Sequence, residues 1–246
     1  MSQNSTYSCR FAAMLDDWRQ RWHRNTGNTT SSLLPFGFVQ IGPSCGYDSH
    51  VFRTRIGQTG NELVFPNDRW PGVFMATAID LPNTGDTGSP AGNVHLMDKP
   101  AIAHRLALGA RAMVYQEDVV STGPQLLEAV ADSTRSRFTL TFDTGQRSEG
   151  GLDLRGTQPG VTGFEVFDNL GWGTIVLGTW VPAQVVSLGG CSGHSICNIT
   201  LEAFSILEHP TMIRYAHKDT PCPPHDCLVY NSAGLPLAPF EVQLRQ

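Results

Sequence analysis

Residues 73–81 read VFMATAIDL, an apolar run that ends in an acidic residue and predicts a buried strand. Residues 35–41, PFGFVQI, predict a second short strand. Residues 9–23 place apolar side chains at helical spacing, and residues 99–115 are rich in Ala and Leu, so both stretches predict helices. This order of helix, strand, strand and helix predicts βα units on a parallel sheet, and therefore an α/β fold.

The second half of the chain has a different pattern. Four short stretches alternate apolar and polar residues or are rich in β-branched residues: residues 137–142, 163–167, 174–177 and 181–187. Gly, Asp and Pro separate them, which predicts an antiparallel, sandwich-like β-rich region. We place the boundary near residues 117–123, which divides the chain into residues 1–118 and 119–246.

The composition is that of a folded chain with few charges. Of its 246 residues, 40% are hydrophobic and 16% are charged, against roughly 25% charged in an average soluble domain. The formal net charge of −5 disfavours nucleic acid as a partner, because nucleic-acid binding needs clustered Lys and Arg. The sequence has no run of about 18 apolar residues, so no membrane span is predicted.

Four of the six cysteines form two close pairs, Cys191 with Cys197 and Cys222 with Cys227. Separations of six and five positions suit small disulfide loops and lack the C-x-x-C spacing of a zinc site. His225 inside the second pair leaves zinc as an alternative, but the neighbouring prolines favour a stiff disulfide loop. We therefore expect no metal and no other cofactor.

Three N-x-S/T sequons, at Asn4, Asn28 and Asn198, are candidate glycosylation sites. Together with the paired cysteines they favour an oxidising compartment. Residues 1–7 are polar and do not predict a signal peptide. A secreted type of chain without a leader leads us to expect a missing upstream segment.

His95 is the candidate for general-base chemistry. It follows a Gly- and Pro-rich loop, precedes a predicted helix and comes after the strand that ends near Asp80. Open α/β sheets place their chemistry at such edges, and a nearby carboxylate would fix the tautomer of the imidazole. Asp80 and Asp86 are the nearest acids upstream of it; the alternative is a solvent-exposed loop histidine.

Several stretches resemble the sialate O-acetylesterase family of the Ser-Gly-Asn-His hydrolase superfamily, in order along nearly the whole chain. They are residues 15–19 (LDDWR), 35–40 (PFGFVQ), Arg55 with Gln58 and Thr59, 74–81 (FMATAIDL), 93–99 (NVHLMDK), 105–115, and 214–240 with Cys222 and Cys227. The resemblance implies that residues 1–118 are the C-terminal part of a three-layer, parallel-sheet hydrolase domain. It further implies that residues 119–246 are a β-rich domain with disulfide loops.

The same resemblance implies an activity, the hydrolysis of O-acetyl esters on sialic acids or related sugars, with His95 as the catalytic histidine. It also implies a lysosomal or secreted location for the full-length family member. The family's serine nucleophile block is absent, so we expect a fragment that is inactive alone and has the missing N-terminal half as a partner. Gly92 stands where the superfamily usually has the orienting Asp, which leaves Asp80 and Asp86 as candidates.

Other residues keep two interpretations. Arg55 and Gln58 are candidates for substrate binding, or else they anchor loops. Ser44 fits G-x-S-x-G and is an alternative nucleophile, although the pattern is common in loops. Trp70, Trp172 and Trp180 could stack on sugars or pack in the core. The β-rich half could also be a non-catalytic module that binds glycans or a partner, and the chain could be a truncated gene product.

Overall fold

The computed structural model describes residues 3–44, 50–60, 65–85, 95–145, 151–155, 163–171, 177–191 and 195–245. The first part contains three helices and two strands: α1 (Gln3–Asn25), β1 (Phe36–Gln40), α2 (His50–Thr59), β2 (Val73–Thr77) and α3 (Lys99–Met113). The second part is made of strands: β3 (Gln125–Ala131), β4 (Arg137–Asp143), β5 (Leu152–Leu154), β6 (Phe164–Asn169), β7 (Gly178–Gly189), β8 (Ile196–Ala203), β9 (Pro210–Tyr215), β10 (Val229–Asn231) and β11 (Phe240–Gln243).

Strands β1 and β2 pair in parallel, with Phe36 opposite Val73 at one end. Side chains alternate across the pair, so one face receives α1, whose Leu15 packs in a cluster with Val73. The other face receives α3, where the ring of Phe74 fills the space that a Cβ would occupy at Gly109. The predicted parallel pairing is confirmed, while a complete three-layer hydrolase sheet is not shown by the residues described.

The β-rich part is one antiparallel sheet of seven strands in the order β11-β9-β6-β7-β8-β4-β3, with β5 and β10 paired separately. Its two edges meet, because the Ala131 N–H donates to the Arg245 carbonyl and the Arg245 N–H donates to the Ala129 carbonyl, both at 2.9 Å. Alternate residues of β8 are buried, and Phe138 and Phe142 lie in the same core. The predicted antiparallel, β-rich region is confirmed, as a sheet that comes close to closing on itself.

Helix α2 lies in the Gly-rich segment 42–72, whose sequence shows no regular helix or strand pattern. Phe52 and Ile56 of this helix are buried, as is Trp70 in the loop that follows it. Trp180 packs on Phe167, and the Arg214 guanidinium lies over its ring at 3.9 Å. Two of the three tryptophans weighed for sugar stacking are therefore packed, and Trp172 lies outside the described residues.

Both predicted disulfides are present, Cys191–Cys197 and Cys222–Cys227. Cys9 is exposed and unpaired among the residues described, and Cys45 is not one of them. The described part of the chain has no group of three or more His, Cys, Asp or Glu side chains arranged to hold a metal ion. No described helix is long and apolar enough to cross a membrane.

The three sequons lie in different surroundings. Asn28 is exposed in the turn after α1, with φ at 66°. Asn198 is half-buried in β8, and its Oδ1 has no hydrogen-bond partner among the described residues. Asn4 lies in α1, where its side chain is not described. Asn28 is thus more accessible to a glycan than Asn198, and glycosylation at all three stays a prediction.

Candidate functional site

The carboxyl ends of β1 and β2 meet at one edge of the parallel pair, and the His95 segment lies across that edge. Leu96 is buried and packs with Ala78 and Leu81, which follow β2. It also fills the space beside Gly42, just after β1, where a Cβ would collide with its side chain. Packing of Leu96 therefore places its neighbour His95 at the edge where open α/β sheets carry their chemistry.

His95 is exposed, and its segment is held through the backbone. The Asn83 side-chain amide donates to the His95 carbonyl at 3.1 Å. The Met97 N–H donates to the Asn83 Oδ1 at 2.8 Å. The His95 imidazole has no hydrogen bond or ion pair with any residue in the described ranges. Among the described residues, nothing occupies either ring nitrogen of His95.

Asp80, a predicted catalytic acid, is fully buried and engaged elsewhere. The Arg105 guanidinium donates to Oδ1 at 2.6 Å and to Oδ2 at 2.8 Å. The Tyr230 hydroxyl donates to Oδ2 at 3.0 Å. Burial, followed by the Asp80 charge, raises the pKa of Tyr230 above its ordinary value. These contacts link β2, α3 and β10, and they do not bring Asp80 to the His95 ring. Asp86 and Gly92 lie outside the described residues.

Arg55, a predicted substrate-binding residue, is also fully buried. Its guanidinium donates to four backbone carbonyls, those of Ile41, Gly42, Lys218 and Asp219, at 2.8 to 3.0 Å. Burial lowers its pKa to about 10. These contacts anchor the loop after β1 to the segment after β9, which is the loop-anchoring alternative.

Gln58, predicted with Arg55, shares this anchoring pattern. It accepts from the Ile41 N–H at 2.8 Å and donates to the Val39 carbonyl at 3.1 Å. Ser44 is 5% exposed, and residues 45–49, which would complete a strand-to-helix elbow, are not described. The contacts described thus give Arg55 and Gln58 a structural role and place Ser44 away from the surface.

Two further residues of this edge carry little signal in the sequence. Asp98 caps α3, where its Oδ1 accepts from the Ala101 N–H at 3.0 Å. Its Oδ2 lies 3.1 Å from Nε2 of His225, on the Cys222–Cys227 loop. An Asp before Lys-Pro at a helix start could have identified the cap. Nothing local could have identified His225, because it is 127 positions away along the chain.

The described residues thus combine a two-stranded parallel α/β part, with a histidine at its carboxyl edge, and a nearly closed antiparallel sheet. Residues 128–244 match the family described as "Sialate O-acetylesterase C-terminal domain". The chain is 30% identical to the sialate O-acetylesterase of Mus musculus over 97% of its own length and 41% of that protein. It is 30% identical to the Homo sapiens sialate O-acetylesterase over 95% of its length and 42% of that protein. The chain is similar to the C-terminal part of sialate O-acetylesterases and spans about two fifths of the length of these relatives.

A solved structure supports the same fold. A carbohydrate acetylesterase from Xanthomonas citri matches 96% of this chain and 46% of its own, with a TM-score of 0.65 and 24% identity. At that identity the likeness shows the fold alone. It extends the agreement beyond the family match at residues 128–244 to the helices and parallel strands before them.

Proposed function

We propose that this chain is the C-terminal part of a carbohydrate O-acetylesterase that removes acetyl groups from sialic acids or related sugars. His95 is its general base. The nucleophilic serine comes from a segment outside this chain, and the base takes its proton as the hydroxyl attacks the acetyl carbonyl. The acyl-enzyme is then hydrolysed by water.

The placement of His95 is the observation that carries this proposal. A general base must have a nitrogen free to accept a proton and a backbone held in one place. The two Asn83 hydrogen bonds hold the backbone from the His95 carbonyl to the Met97 N–H, while the His95 side chain is exposed. Asp86 remains our candidate for the orienting carboxylate, since Asp80 is engaged by Arg105 and Tyr230.

The two-stranded sheet supports a partner that supplies more strands. A parallel sheet is stable when it is larger and covered on both faces, and two strands are a small unit. Trp18 of α1, whose ring lies 6.0 Å from that of Phe36 in β1, is 50% exposed. We propose that the N-terminal half of the enzyme extends the sheet into a three-layer domain over residues 1–118 and contributes the serine.

The two disulfides suit a lysosomal or secreted enzyme, which is the location we propose for the full-length protein. The substrate proposed, an acetylated sugar, follows from the family. The proposed reaction needs neither metal nor cofactor, because a serine and a histidine are sufficient for ester hydrolysis.

The test is a chimera in which this chain replaces the matching part of the Mus musculus relative. Release of acetate from 4-nitrophenyl acetate and from an O-acetylated sialic acid is measured for the chain alone and for the chimera. We expect no release above buffer from the chain alone and steady turnover by the chimera. His95→Ala should lower kcat of the chimera by about a thousandfold or more.

His104→Ala is the matched control, because His104 is an exposed histidine on α3 away from the edge. It should leave turnover unchanged. Acetate release by the chain alone that is lost in Ser44→Ala would overturn the proposed external serine. A folded chimera whose turnover is the same with and without His95 would overturn the role of this histidine.

A further inference from the structure

The Cys222–Cys227 loop reaches across from the β-rich part to the edge that carries His95. The His225 N–H donates to the Asp80 carbonyl at 2.7 Å, and the Arg155 guanidinium donates to the His225 carbonyl at 2.9 Å. His225 has φ at 54°, in the left-handed region that non-glycine residues seldom adopt. The disulfide and these two hydrogen bonds hold the residue in that conformation.

The held backbone directs the imidazole towards α3. Nε2 lies 3.1 Å from Asp98 Oδ2, and Nδ1 lies 4.0 Å from Asp80 Oδ2. An ionised carboxylate only accepts hydrogen bonds, so Nε2 carries the proton and donates to Asp98. Arg105 already compensates the charge of Asp80, which leaves Asp98 as the main partner.

Asp98 has two functions at once. Its Oδ1 caps α3 through the Ala101 N–H, and its Oδ2 receives the His225 proton. Three positions earlier is His95, whose carbonyl is held by Asn83. The short segment 95–98 is thus fixed at its start by Asn83 and at its end by His225.

From this geometry we infer that His225 is a positioning residue for His95. The disulfide loop of the β-rich part sets the orientation of the catalytic segment through the His225–Asp98 hydrogen bond. This inference rests on the proposed role of His95. On this inference the β-rich part helps to position the general base. Without the Cys222–Cys227 loop, the segment 95–98 would be held by Asn83 alone.

The first test uses the whole chain and needs no activity. We would follow the His95 ring resonances and the exchange rate of the Ala101 amide by NMR in His225→Ala, His225→Gln and His104→Ala. His225→Ala should shift the His95 resonances and speed Ala101 exchange by about threefold, in line with a modest exposed contact. His225→Gln keeps an N–H donor at a similar reach and should restore both readouts.

His104→Ala should change neither readout, because His104 is exposed on α3 and lies outside the contact. Ala and Gln at position 225 both have a Cβ, so the free-energy cost of the left-handed backbone is similar in the two variants. Asp98→Asn provides a second variant, since Asn also caps helices but does not offer a carboxylate to Nε2. Its effect and that of His225→Ala should not add in the double variant.

The second test uses the chimera with the Mus musculus relative. His225→Ala should lower kcat several-fold with little change in KM, and His225→Gln should recover it, since the loss concerns the placement of the base. Unchanged His95 resonances and Ala101 exchange in His225→Ala would overturn the inference, as would a failure of Gln to restore them. An inactive native chimera would count against the proposed function alone, because the NMR coupling is measured without it.

Discussion

Arg105 on α3 and Asp80 after β2 form a bidentate ion pair at 2.6 and 2.8 Å, and both side chains are almost entirely buried. The Arg105 guanidinium also donates to the Thr77 carbonyl at 2.8 Å, at the end of β2. Tyr230 adds a hydrogen bond to Asp80 from the β-rich part. The pair therefore joins the parallel strands, α3 and β10 at a point directly beneath the edge that carries His95.

Removing one member of this pair should destabilise the fold strongly. Asp80→Ala leaves the Arg105 charge buried without its partner, and we expect a loss of about 3 to 5 kcal/mol in the free energy of unfolding. Urea denaturation of the whole chain measures it. The control is Asp17→Ala, which breaks the exposed pair with Arg21 and should leave the free energy of unfolding almost unchanged.

Asp80→Asn in the chimera, measured for both stability and turnover, decides between two roles for Asp80. A stable Asp80→Asn chimera that has lost turnover would contradict the structural role and return Asp80 to the list of catalytic acids. Loss of stability with turnover retained in the folded fraction would place the orienting carboxylate elsewhere.

Arg55 gives the second prediction, on substrate binding. Arg55→Lys keeps a charge but cannot reach four carbonyls in the planar geometry of a guanidinium. Carbonyls left unsatisfied in a buried site cost about 1 to 3 kcal/mol each, so we expect a loss of at least about 2 kcal/mol in urea denaturation. Arg53→Lys, at a half-exposed position on the same helix, is the control.

The opposite result would revive the substrate-binding alternative. If Arg55→Lys leaves the unfolding free energy unchanged and raises KM for an O-acetylated sialic acid in the chimera, Arg55 binds substrate. Arg55 is 0% exposed, so its guanidinium cannot reach a substrate. For this reason we expect the loss of stability.

The contrast between Arg55 and His95 shows what the sequence can and cannot predict. The parallel pair, α1, α3 and both disulfides were predictable, because apolar runs, helical spacing and close cysteine pairs are local signals. Helix α2 was not, because Gly57 and Gly60 weaken its pattern and the buried Phe52 and Ile56 stabilise it through distant contacts.

The candidate site divides in the same way. The His95 segment and its resemblance lie within one stretch of sequence, so its position at the sheet edge could be inferred. The roles of Asp80, Arg55 and His225 depend on partners 25, 164 and 127 positions away, respectively. Charge and residue type alone cannot distinguish a buried anchor from a substrate ligand, since both need the same donors and acceptors.

Gly42 gives the third prediction, on the packing of Leu96. A Cβ at position 42 would collide with Leu96 Cδ1 and Cγ, so Gly42→Ala must displace the Leu96 side chain. Because His95 is its neighbour, we expect the His95 ring resonances to shift and kcat of the chimera to fall. Gly189→Ala on β7 is the control, since a Cβ there meets nothing within 4 Å. Identical His95 resonances in Gly42→Ala and the native chain would contradict the proposed packing.

His217 gives the fourth prediction, on the pH dependence of stability. Its pKa is lowered, first by burial and then by the charge of Arg214 on β9. Glu165 on β6 lies 3.1 Å from Nδ1 and favours the cation, and Glu241 on β11 does so more weakly. Arg214 lies 2.5 Å from the same Glu165 carboxylate, so much of that attraction is already compensated, and the lowering dominates.

The sign of the effect follows from proton binding. A lowered pKa means that the unfolded chain binds the His217 proton more readily than the folded chain does. The free energy of unfolding should therefore fall as the pH drops from about 7 to about 5, through the ordinary histidine range. His217→Gln removes this contribution. The unfolding free energy of the native chain minus that of the variant should therefore decrease as the pH falls over that interval.

Urea denaturation at several pH values between those limits measures the difference directly. Titrating groups that do not contact position 217 are present in both chains and cancel in the comparison. The His104→Gln chain is the control, because it replaces an exposed histidine on α3 by the same residue. A difference that grows as the pH falls would mean that Glu165 outweighs burial and Arg214, and that the folded protein prefers a charged His217.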